Sequence, residues 1–278
     1  MTATPSGAAT GPATGAGWRA TTKDAVGVLG AGKHLPDRIV DNTEPAALLG
    51  VEPSGIADTT GGARRRRAGP GVSAADLATG AVRDALRATG VRPDEVSVLV
   101  VAAETEPGAR PAASVRRRLE MGGAALDVAG DFVAALAVAE RIVLATGGYG
   151  VVAGVQVQPI TSLDPAASAR LGDGAGALVL GRTWHGRGLD AIELAGGGGA
   201  DAPAFLDGAQ VPTDAVVHVV GDDSGVREAR VHSVEHEVGD TGPAAIPLAL
   251  ALGPPIAPGE RVLLAGPPDH PSLALLTW

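Results

Sequence analysis

Cysteine is missing from this sequence, and its absence excludes several kinds of chemistry. Without a thiol, the 278 residues can form no disulfide, no thiolate metal site and no cysteine nucleophile. Aromatic side chains are also scarce, at 2% of the residues, while glycine is plentiful, at 41 residues. The core must therefore be built from Ala, Val and Leu in closely approaching elements, which favours layered α/β packing.

Long apolar runs and an extended basic stripe are absent as well. No apolar segment is long enough to span a bilayer, and the N-terminus lacks a basic region followed by an apolar one, so we expect a cytoplasmic protein. The formal net charge is −9, and arginines cluster only in two short groups, which argues against nucleic acid or a membrane as partner. What is present, 45% hydrophobic residues, suffices for a sizeable core.

The apolar pattern predicts alternating strands and helices after an N-terminal tail. Residues 1–22 have almost no large apolar side chain and predict a disordered tail. A buried strand is predicted over Ala25–Leu29. A helix is predicted over Ser73–Thr89, with Ser73 as its N-cap and Gly90 as the residue that ends it. Residues 186–208 indicate an irregular segment. Further strands are predicted over 96–102, 124–128, 150–157 and 174–180, and further helices over 112–119 and 132–146.

Several patterns that could carry chemistry are weak. Gly30-Ala31-Gly32 lacks the third glycine and the following helix of a dinucleotide fingerprint, so we expect no nucleotide cofactor. His232 and His236 have ligand-like spacing, but their segment alternates like a strand, which favours core or surface histidines. A Ser224 hydrolase site with His218 or Asp222 lacks any G-x-S-x-G motif. No metal site is expected.

Motifs in sequence order resemble the ketosynthase III family of the thiolase superfamily, whose members condense an acyl thioester with a carrier-protein-bound extender. Gly172–Ala177 is similar to the family's F-G-D-G-A-G-A, and Gly239–Leu250 to its G-N-T-S-A-A-S-I-P-L-A-L. The glycines of the first motif also have a structural interpretation, which we favour, because small residues on a central strand let layers approach. Weaker matches are Val28–Pro36 with Val40 and Asn42, the arginine-rich 61–68, and Leu126–Val128.

The resemblance implies a five-layered αβαβα thiolase fold made of two βα halves. We divide the chain into the tail 1–22, an N-terminal half 23–183 and a C-terminal half 184–278. The second half is reduced, because 186–208 is too rich in glycine for the long helix expected there. The resemblance also implies a dimer through an edge strand, which we assign to Tyr149–Val157.

The catalytic residues that the resemblance implies are a Cys, a His and an Asn, and the sequence departs from each. Where the family reads D-V-N-A-A-C-S-G-F, this chain reads 127–132, which deletes the nucleophile and leaves Asp131. Asp222 stands at the His position and Asp240 at the Asn position. An ionised carboxylate donates no hydrogen bond and opposes a developing oxyanion. The glycine-rich C-terminal loop is replaced by Gly266–His270.

Two binding features also differ from the family. Its adenine-stacking Trp aligns with Gly55, so the platform for coenzyme A is missing. Two arginine groups could instead meet an acidic acyl carrier protein, although solvated surface charge is an equal interpretation. These candidate contacts are Arg64, Arg65, Arg66, Arg67, Arg116 and Arg117.

A retained scaffold with altered chemistry leads to three hypotheses. The leading one is a catalytically degenerate subunit that forms a heterodimer with an active ketosynthase III-like paralogue in polyketide, fatty-acid-like or specialised-metabolite biosynthesis. The second is a repurposed acyltransferase or hydrolase that uses Asp222 or Asp240. The third is a homodimeric module that binds acyl chains or a carrier protein. The sequence does not separate the first from the third.

Overall fold

Thirteen strands are assigned in the described part of the chain. The computed structural model describes residues 17–19, 25–104, 108–158, 169–183, 186–194, 201–221, 225–226, 229–267 and 271–278. The strands are β1 (Gly17–Arg19), β2 (Ala25–His34), β3 (Arg38–Asp41), β4 (Arg64–Arg67), β5 (Val96–Ala103), β6 (Ala124–Ala129), β7 (Tyr149–Gln156), β8 (Gly174–Thr183), β9 (Gly188–Glu193), β10 (His218–Gly221), β11 (Arg230–His232), β12 (Arg261–Ala265) and β13 (Leu273–Thr277).

Helices alternate with these strands. They are α1 (Thr43–Leu49), α2 (Pro53–Thr60), α3 (Ala74–Thr89), α4 (Pro111–Arg118), α5 (Phe132–Thr146), α6 (Ala202–Gly208), α7 (Glu235–Val238) and α8 (Ala245–Leu252), with 3₁₀ turns at Pro93–Glu95, Thr213–Ala215 and Gly242–Ala244. The start of α3 is confirmed: Ser73 and Asp76 form a reciprocal capping box, and Gly90 ends the helix at φ 70°. Within the described residues, no helix has both the length and the apolar character to cross a membrane.

Two sheets of the same topology form the frame. The first has the order β2-β8-β7-β5-β6 and the second β1-β9-β13-β12-β10-β11. If β1 is set aside, the five strands of each sheet, counted along the chain, follow the order 1-5-4-2-3. In both sheets the second strand is parallel to the third and fourth, and the fifth is antiparallel to the fourth and first. The fold is therefore two copies of one βα unit.

The helices place these sheets in five layers. One core cluster joins Val100 of the first sheet, Leu136 of α5, Ile246 of α8 and Leu264 of the second sheet, so α5 and α8 lie between the sheets. A second cluster packs α3 and α4 on the outer face of the first sheet. A third packs α6 on the outer face of the second sheet. The expected αβαβα order is confirmed.

Glycines at the middle layer explain how closely these elements approach. A Cβ on Gly176 of β8 would lie 2.6 Å from the backbone N of Leu248 in α8. A Cβ on Gly154 of β7 would lie 1.9 Å from the carbonyl oxygen of Pro243. Neither neighbour can yield, because both atoms belong to the backbone. The structural interpretation of the glycine-rich motif is therefore correct.

Three expectations are corrected by the structure. Gly17–Arg19, placed in the disordered tail, form β1 and pair antiparallel with β9, while residues 1–16 and 20–22 lie outside the described part. The segment 186–208 contains strand β9 and helix α6, which has seven residues. The third correction concerns β7, assigned above as the edge strand: it lies between β5 and β8.

The edge of the first sheet on the β5 side is β6. Strands β2 and β5–β8 of this sheet lie within residues 25–183, and β9–β13 of the other sheet within residues 188–277. The division into domains at residue 184 stays a prediction.

Candidate functional site

A cavity of about 210 Å³ lies where the two halves meet. The last residue of β10 and the residues that follow β6 and β12 reach it from the two sheets, and the first residues of α5 and α8 close it from the middle layer. In the described part of the chain its wall consists of Gly130, Phe132, Arg170, Gly221, Glu235, Asp240, Gly242, Pro243, Ala245, Ile246, Ala265, Gly266 and Pro267. The ends of strands and the starts of helices are where such folds place ligands.

Asp131 lies beside this cavity and caps α5. Its Oδ1 accepts a hydrogen bond from the backbone N of Ala134 at 3.0 Å, so it satisfies a donor of the first helical turn. Its Oδ2 accepts from the hydroxyl of Ser272, which is fully buried, at 2.6 Å. The partial positive charge at the helix N-terminus stabilises a carboxylate here. The cavity wall includes the residues on either side, Gly130 and Phe132.

Asp240 lines the cavity and is paired with Arg170. The Nε of Arg170 lies 3.3 Å from Oδ2 of Asp240, and the backbone N of Gly242 donates to Oδ1 at 2.9 Å. The two residues are also joined through the backbone, because the N of Asp240 donates to the carbonyl of Arg170 at 3.0 Å. The carboxylate expected at the Asn position is thus paired with a cation.

Arg170 was not identified from the sequence. It precedes the Gly172–Ala177 motif by two positions but lies 70 residues from Asp240, so no local pattern connects the two. An electrostatic argument could have predicted such a residue, because a carboxylate that is partly removed from water in a cavity is stabilised by a nearby cation.

The third candidate, Asp222, lies outside the described residues, as do Asp223, Ser224, Asp269 and His270. The structure describes the preceding Gly221, which ends β10 at φ 108° and lines the cavity. A side chain there would also collide with the carbonyl of Ala265, because a Cβ would lie 2.1 Å from that oxygen. Of the three predicted positions, the structure thus brings Asp240 into the cavity wall and Asp131 next to it.

The first arginine group does not form one surface. Arg65 is only 1% exposed and hydrogen-bonds Oδ1 of Asn42, so its guanidinium is not available to a carrier protein. Arg66 donates to the carbonyl of Pro36 at 3.1 Å, Arg67 lies 3.9 Å from Asp173, and Arg64 is exposed. Burial lowers the pKa of Arg65. The prediction that Arg65 contacts a carrier protein is therefore wrong, and the four arginines do not form one contact surface.

The second arginine group is exposed on α4. Arg116 donates to the carbonyl of Gly123 at 3.2 Å, and the neighbouring Arg117 is exposed. Arg118 forms an ion pair with Asp76 of α3 at 2.8 Å. Arg118 also lines a groove of about 360 Å³ between the starts of α3 and α4. A carrier-protein contact at Arg64, Arg66, Arg67, Arg116 and Arg117 stays a prediction.

The histidines divide as core and surface residues. His232 is 9% exposed, whereas the side chain of His236 is 65% exposed. His218 is 2% exposed, and its Nδ1 lies 2.7 Å from Nε2 of His232. This contact was missed from the sequence, since the two residues lie on different strands and have no helical spacing. Among the described residues, no three His, Asp or Glu side chains are grouped as a metal site.

Comparison of the chain with known proteins identifies its family. No protein-family model matches the chain. Acetoacetyl CoA synthase NphT7 of Streptomyces sp. (strain CL190) is 31% identical over 323 residues, covering 90% of this chain and 98% of that protein. This chain belongs to the ketosynthase III family of the thiolase superfamily.

Further relatives agree with this assignment of a ketosynthase III-like chain. The β-ketoacyl-[acyl-carrier-protein] synthase III of Cereibacter sphaeroides (strain ATCC 17025) is 37% identical over 163 residues, 55% of this chain and 50% of that protein, so this match spans about half of the relative's length. The crystal structure of 3-oxoacyl-(acyl carrier protein) synthase III from Pseudomonas aeruginosa PAO1 superposes with a TM-score of 0.78 at 25% identity, covering 91% of this chain and 98% of that one. The Thermus thermophilus enzyme gives 0.79 at 25% identity, with 91% and 99% covered.

Proposed function

We propose that this chain is a ketosynthase III-like subunit that does not condense acyl groups itself and that pairs with a catalytically complete ketosynthase III-like paralogue. The pathway would be polyketide, fatty-acid-like or specialised-metabolite biosynthesis, in keeping with relatives named acetoacetyl CoA synthase and β-ketoacyl-[acyl-carrier-protein] synthase III. The observation that carries the proposal is the start of α5. There a carboxylate, Asp131, caps the helix at the place where the family resemblance implies a cysteine, and the chain contains no cysteine.

The surroundings of this carboxylate support a structural role for it. Both oxygens of Asp131 already accept hydrogen bonds, one from the helix and one from Ser272. A nucleophile needs a lone pair directed at the substrate and a base or field that activates it. Asp240 is likewise held by Arg170 and by the backbone of Gly242. The side chains at two family positions thus stabilise the fold of the cavity.

The partner surface that we propose is the edge strand β6. It pairs with β5 on one side, and four of its six residues are exposed while Ala125 and Val128 are half-buried. Leu126, at its centre, is 38% exposed. An exposed edge with an apolar side chain is a template for an added strand from another chain. Asp127 on the same strand accepts from the backbone N of Ala112 at 2.8 Å, which anchors the start of α4 beside that edge.

Co-expression with an intact ketosynthase III-like paralogue, followed by native mass determination, tests the proposal. We expect a one-to-one heterodimer, whose turnover depends on the cysteine of the paralogue. Leu126→Lys should reduce heterodimer formation at least tenfold, because it places a charge in the centre of the proposed strand pairing. Leu252→Lys is the matched control, since Leu252 is 37% exposed but lies at the end of α8. A chain that stays unpaired, or equal losses in both variants, would contradict the proposal.

The cavity favours a second candidate, a homodimeric module that binds acyl chains or a carrier protein. Its apolar wall residues include Phe132, Pro243 and Ile246, and a space of about 210 Å³ suits a short acyl group. A homodimer with no recruited paralogue, together with a melting temperature raised by acyl-pantetheine, would support this candidate.

A repurposed acyltransferase or hydrolase at Asp222 and Asp240 has less support, because Arg170 already neutralises Asp240. If purified protein has such an activity, the double variant Asp222→Asn, Asp240→Asn should abolish it. Full retention of the activity would exclude this mechanism.

A further inference from the structure

Three side chains form a hydrogen-bonded chain on the inner face of the second sheet, at the end of β10 and α8 that lies away from the cavity. Nε2 of His218 lies 2.9 Å from Oε2 of Glu260, and Nδ1 of His218 lies 2.7 Å from Nε2 of His232. The two rings are tilted by 51°, with their centroids 4.9 Å apart. His218 is 2% and His232 9% exposed, while the side chain of Glu260 is 31% exposed. The chain thus runs from a partly solvated carboxylate to a buried imidazole.

The contacts define where the protons are in the neutral state. Glu260 is an acceptor, so Nε2 of His218 carries a proton and donates it to the carboxylate. Nδ1 of the same neutral ring then has a lone pair and accepts from Nε2–H of His232. Nδ1 of His232 is then the ring nitrogen that can take up a proton, since no residue in the described part of the chain is assigned a hydrogen bond to it. One further proton can enter there, and the shared proton can move to His218, which places the positive charge beside Glu260.

Burial and the neighbouring positive charges make this uptake unfavourable in the folded state. From β11, Arg230 adds positive charge near His232, and from the turn before β12, Glu260 adds negative charge near His218. Arg261 of β12 interacts instead with the half-buried Asp190 of β9. Helix α8, which packs on β10, contributes no titratable side chain. Burial, followed by the charges of His218 and Arg230, lowers the pKa of His232.

These histidines support two segments that lead to the cavity. His232 ends β11, and the chain continues directly into α7 (Glu235–Val238) and Asp240, so Glu235 and Asp240 of the cavity wall lie within eight residues of it. The C-terminal end of α8 also lies against His232, because a Cβ on Gly253 would be 3.3 Å from Nδ1. The opposite end of α8 contributes Ala245 and Ile246 to the cavity. Both segments are therefore anchored at the histidine pair.

We propose that Glu260, His218 and His232 form a buried proton switch, in which uptake of one proton loosens the anchoring of residues 229–240 and with it the cavity wall at Glu235 and Asp240. The sign follows from burial. A histidine that resists protonation when folded gains its proton more readily once the segment opens to water. Residues 229–240 are therefore fully protected against opening above the ordinary histidine pKa of about 6.5, and this protection is lost as the pH falls below it. The switch is a property of the fold and does not depend on the proposed subunit function.

Hydrogen–deuterium exchange of peptides covering 229–240, corrected for the intrinsic rate at each pH, tests the switch. We expect the opening equilibrium to be constant from pH 8 to 7 and to rise by up to tenfold per pH unit below 6.5, the limit for one coupled proton. His232→Gln should remove this pH dependence, whereas Glu260→Gln should leave its onset near pH 6.5 and extend the rise to lower pH, because loss of the carboxylate charge makes proton uptake in the folded state still less favourable. His236→Gln is the control, since that histidine is exposed and adjacent in sequence.

Nitrogen-15 NMR of the histidine rings in the unmodified protein keeps the test independent of variant folding. We expect single, complementary tautomers for His218 and His232 at pH 8, with one shared proton bound as the pH falls. Protection that does not change between pH 8 and 5.5, a His236→Gln variant that flattens the profile as much as His232→Gln, or a His232 ring that titrates with an ordinary histidine pKa would overturn the proposal.

Discussion

Asp131 shows how one side chain can serve the fold at a position where the family resemblance implies chemistry. Its carboxylate joins the first turn of α5 to Ser272, which lies just before β13, so it connects the middle layer to the second sheet. A thiol at this position would accept the helix N–H less well, since sulfur is a weak acceptor. The choice of Asp at the helix start therefore favours stability over reactivity.

We predict that Asp131→Ala destabilises the protein by about 2 kcal/mol, because it removes an N-cap and the hydrogen bond that Asp131 accepts from the buried hydroxyl of Ser272. The measurement is the urea midpoint at constant slope. Asp201→Ala is the matched control: Asp201 occupies the N-cap of α6 but makes no side-chain cap bond, so its loss should change the midpoint little. Equal effects of the two substitutions would show that the capping geometry contributes nothing special.

Local residue signals were predictable from the sequence, whereas contacts between strands were not. The Ser73 cap and the Gly90 stop of α3 depend on neighbours within one turn, and both were assigned correctly. The Arg170–Asp240 pair and the His218–His232 contact join residues 70 and 14 positions apart. Their formation depends on strand order, which a single pattern of apolar residues does not contain.

At the scale of elements, strand existence was predicted better than strand position in the sheet. The runs over β5, β6, β7 and β8 were each placed within about three residues of their observed bounds. The edge was assigned to β7, yet β7 is central and β6 is the edge. Buried strands covered on both faces have the same apolar pattern whether or not both neighbours are present. Exposure of Leu126, invisible in the sequence, is what distinguishes the edge.

Close contact between β8 and α8 gives a direct test of the layer packing. We predict that Gly176→Ala destabilises the protein by about 3 kcal/mol or more, because the new methyl would lie 2.6 Å from a backbone atom of Leu248. Gly55→Ala should instead stabilise by about 0.5–1 kcal/mol, since Gly55 lies within α2 with nothing within 4 Å of its Cβ direction. Chemical denaturation of both variants checks the pair; a harmless Gly176→Ala would contradict the observed layer spacing.

For the molecule as a whole, the cavity exists because two βα units of the same strand order are packed face to face. It takes Gly130 and Phe132 from the first unit and Gly221 and Gly266 from the second, so neither half forms it alone. The family resemblance predicted this duplication, whereas composition and periodicity indicated only layered α/β packing. Neither the resemblance nor the apolar pattern predicted the Arg170–Asp240 ion pair in the cavity. A resemblance gives no information on the contacts of residues that depart from the family.

Two buried groups, Glu140 and His232, should make the free energy of unfolding depend on pH, and their contributions change in opposite directions as the pH rises. Burial raises the pKa of Glu140, inside α5, to about 7, while Arg141 partly offsets this effect. Because the folded state holds this proton and the unfolded state releases it near pH 4.5, the contribution of Glu140 falls as the pH rises from 4.5 to 7. His232 acts in the opposite direction below 6.5, so the two partly cancel in the unmodified protein.

Substitution of Glu140 should expose this cancellation. We predict that Glu140→Gln raises the free energy of unfolding at pH 8 by on the order of 2 kcal/mol and has little effect at pH 5, because glutamine resembles the protonated acid. Urea titrations at pH 5, 6, 7 and 8 measure the difference. Glu52→Gln, at an exposed position before α2, is the control and should change the unfolding free energy equally at every pH. If Glu140→Gln gives the same small change at pH 5 and pH 8, Glu140 is ionised at neutral pH. The ion pair with Arg141 must then offset the cost of burying the carboxylate more fully than a half-exposed partner ordinarily allows.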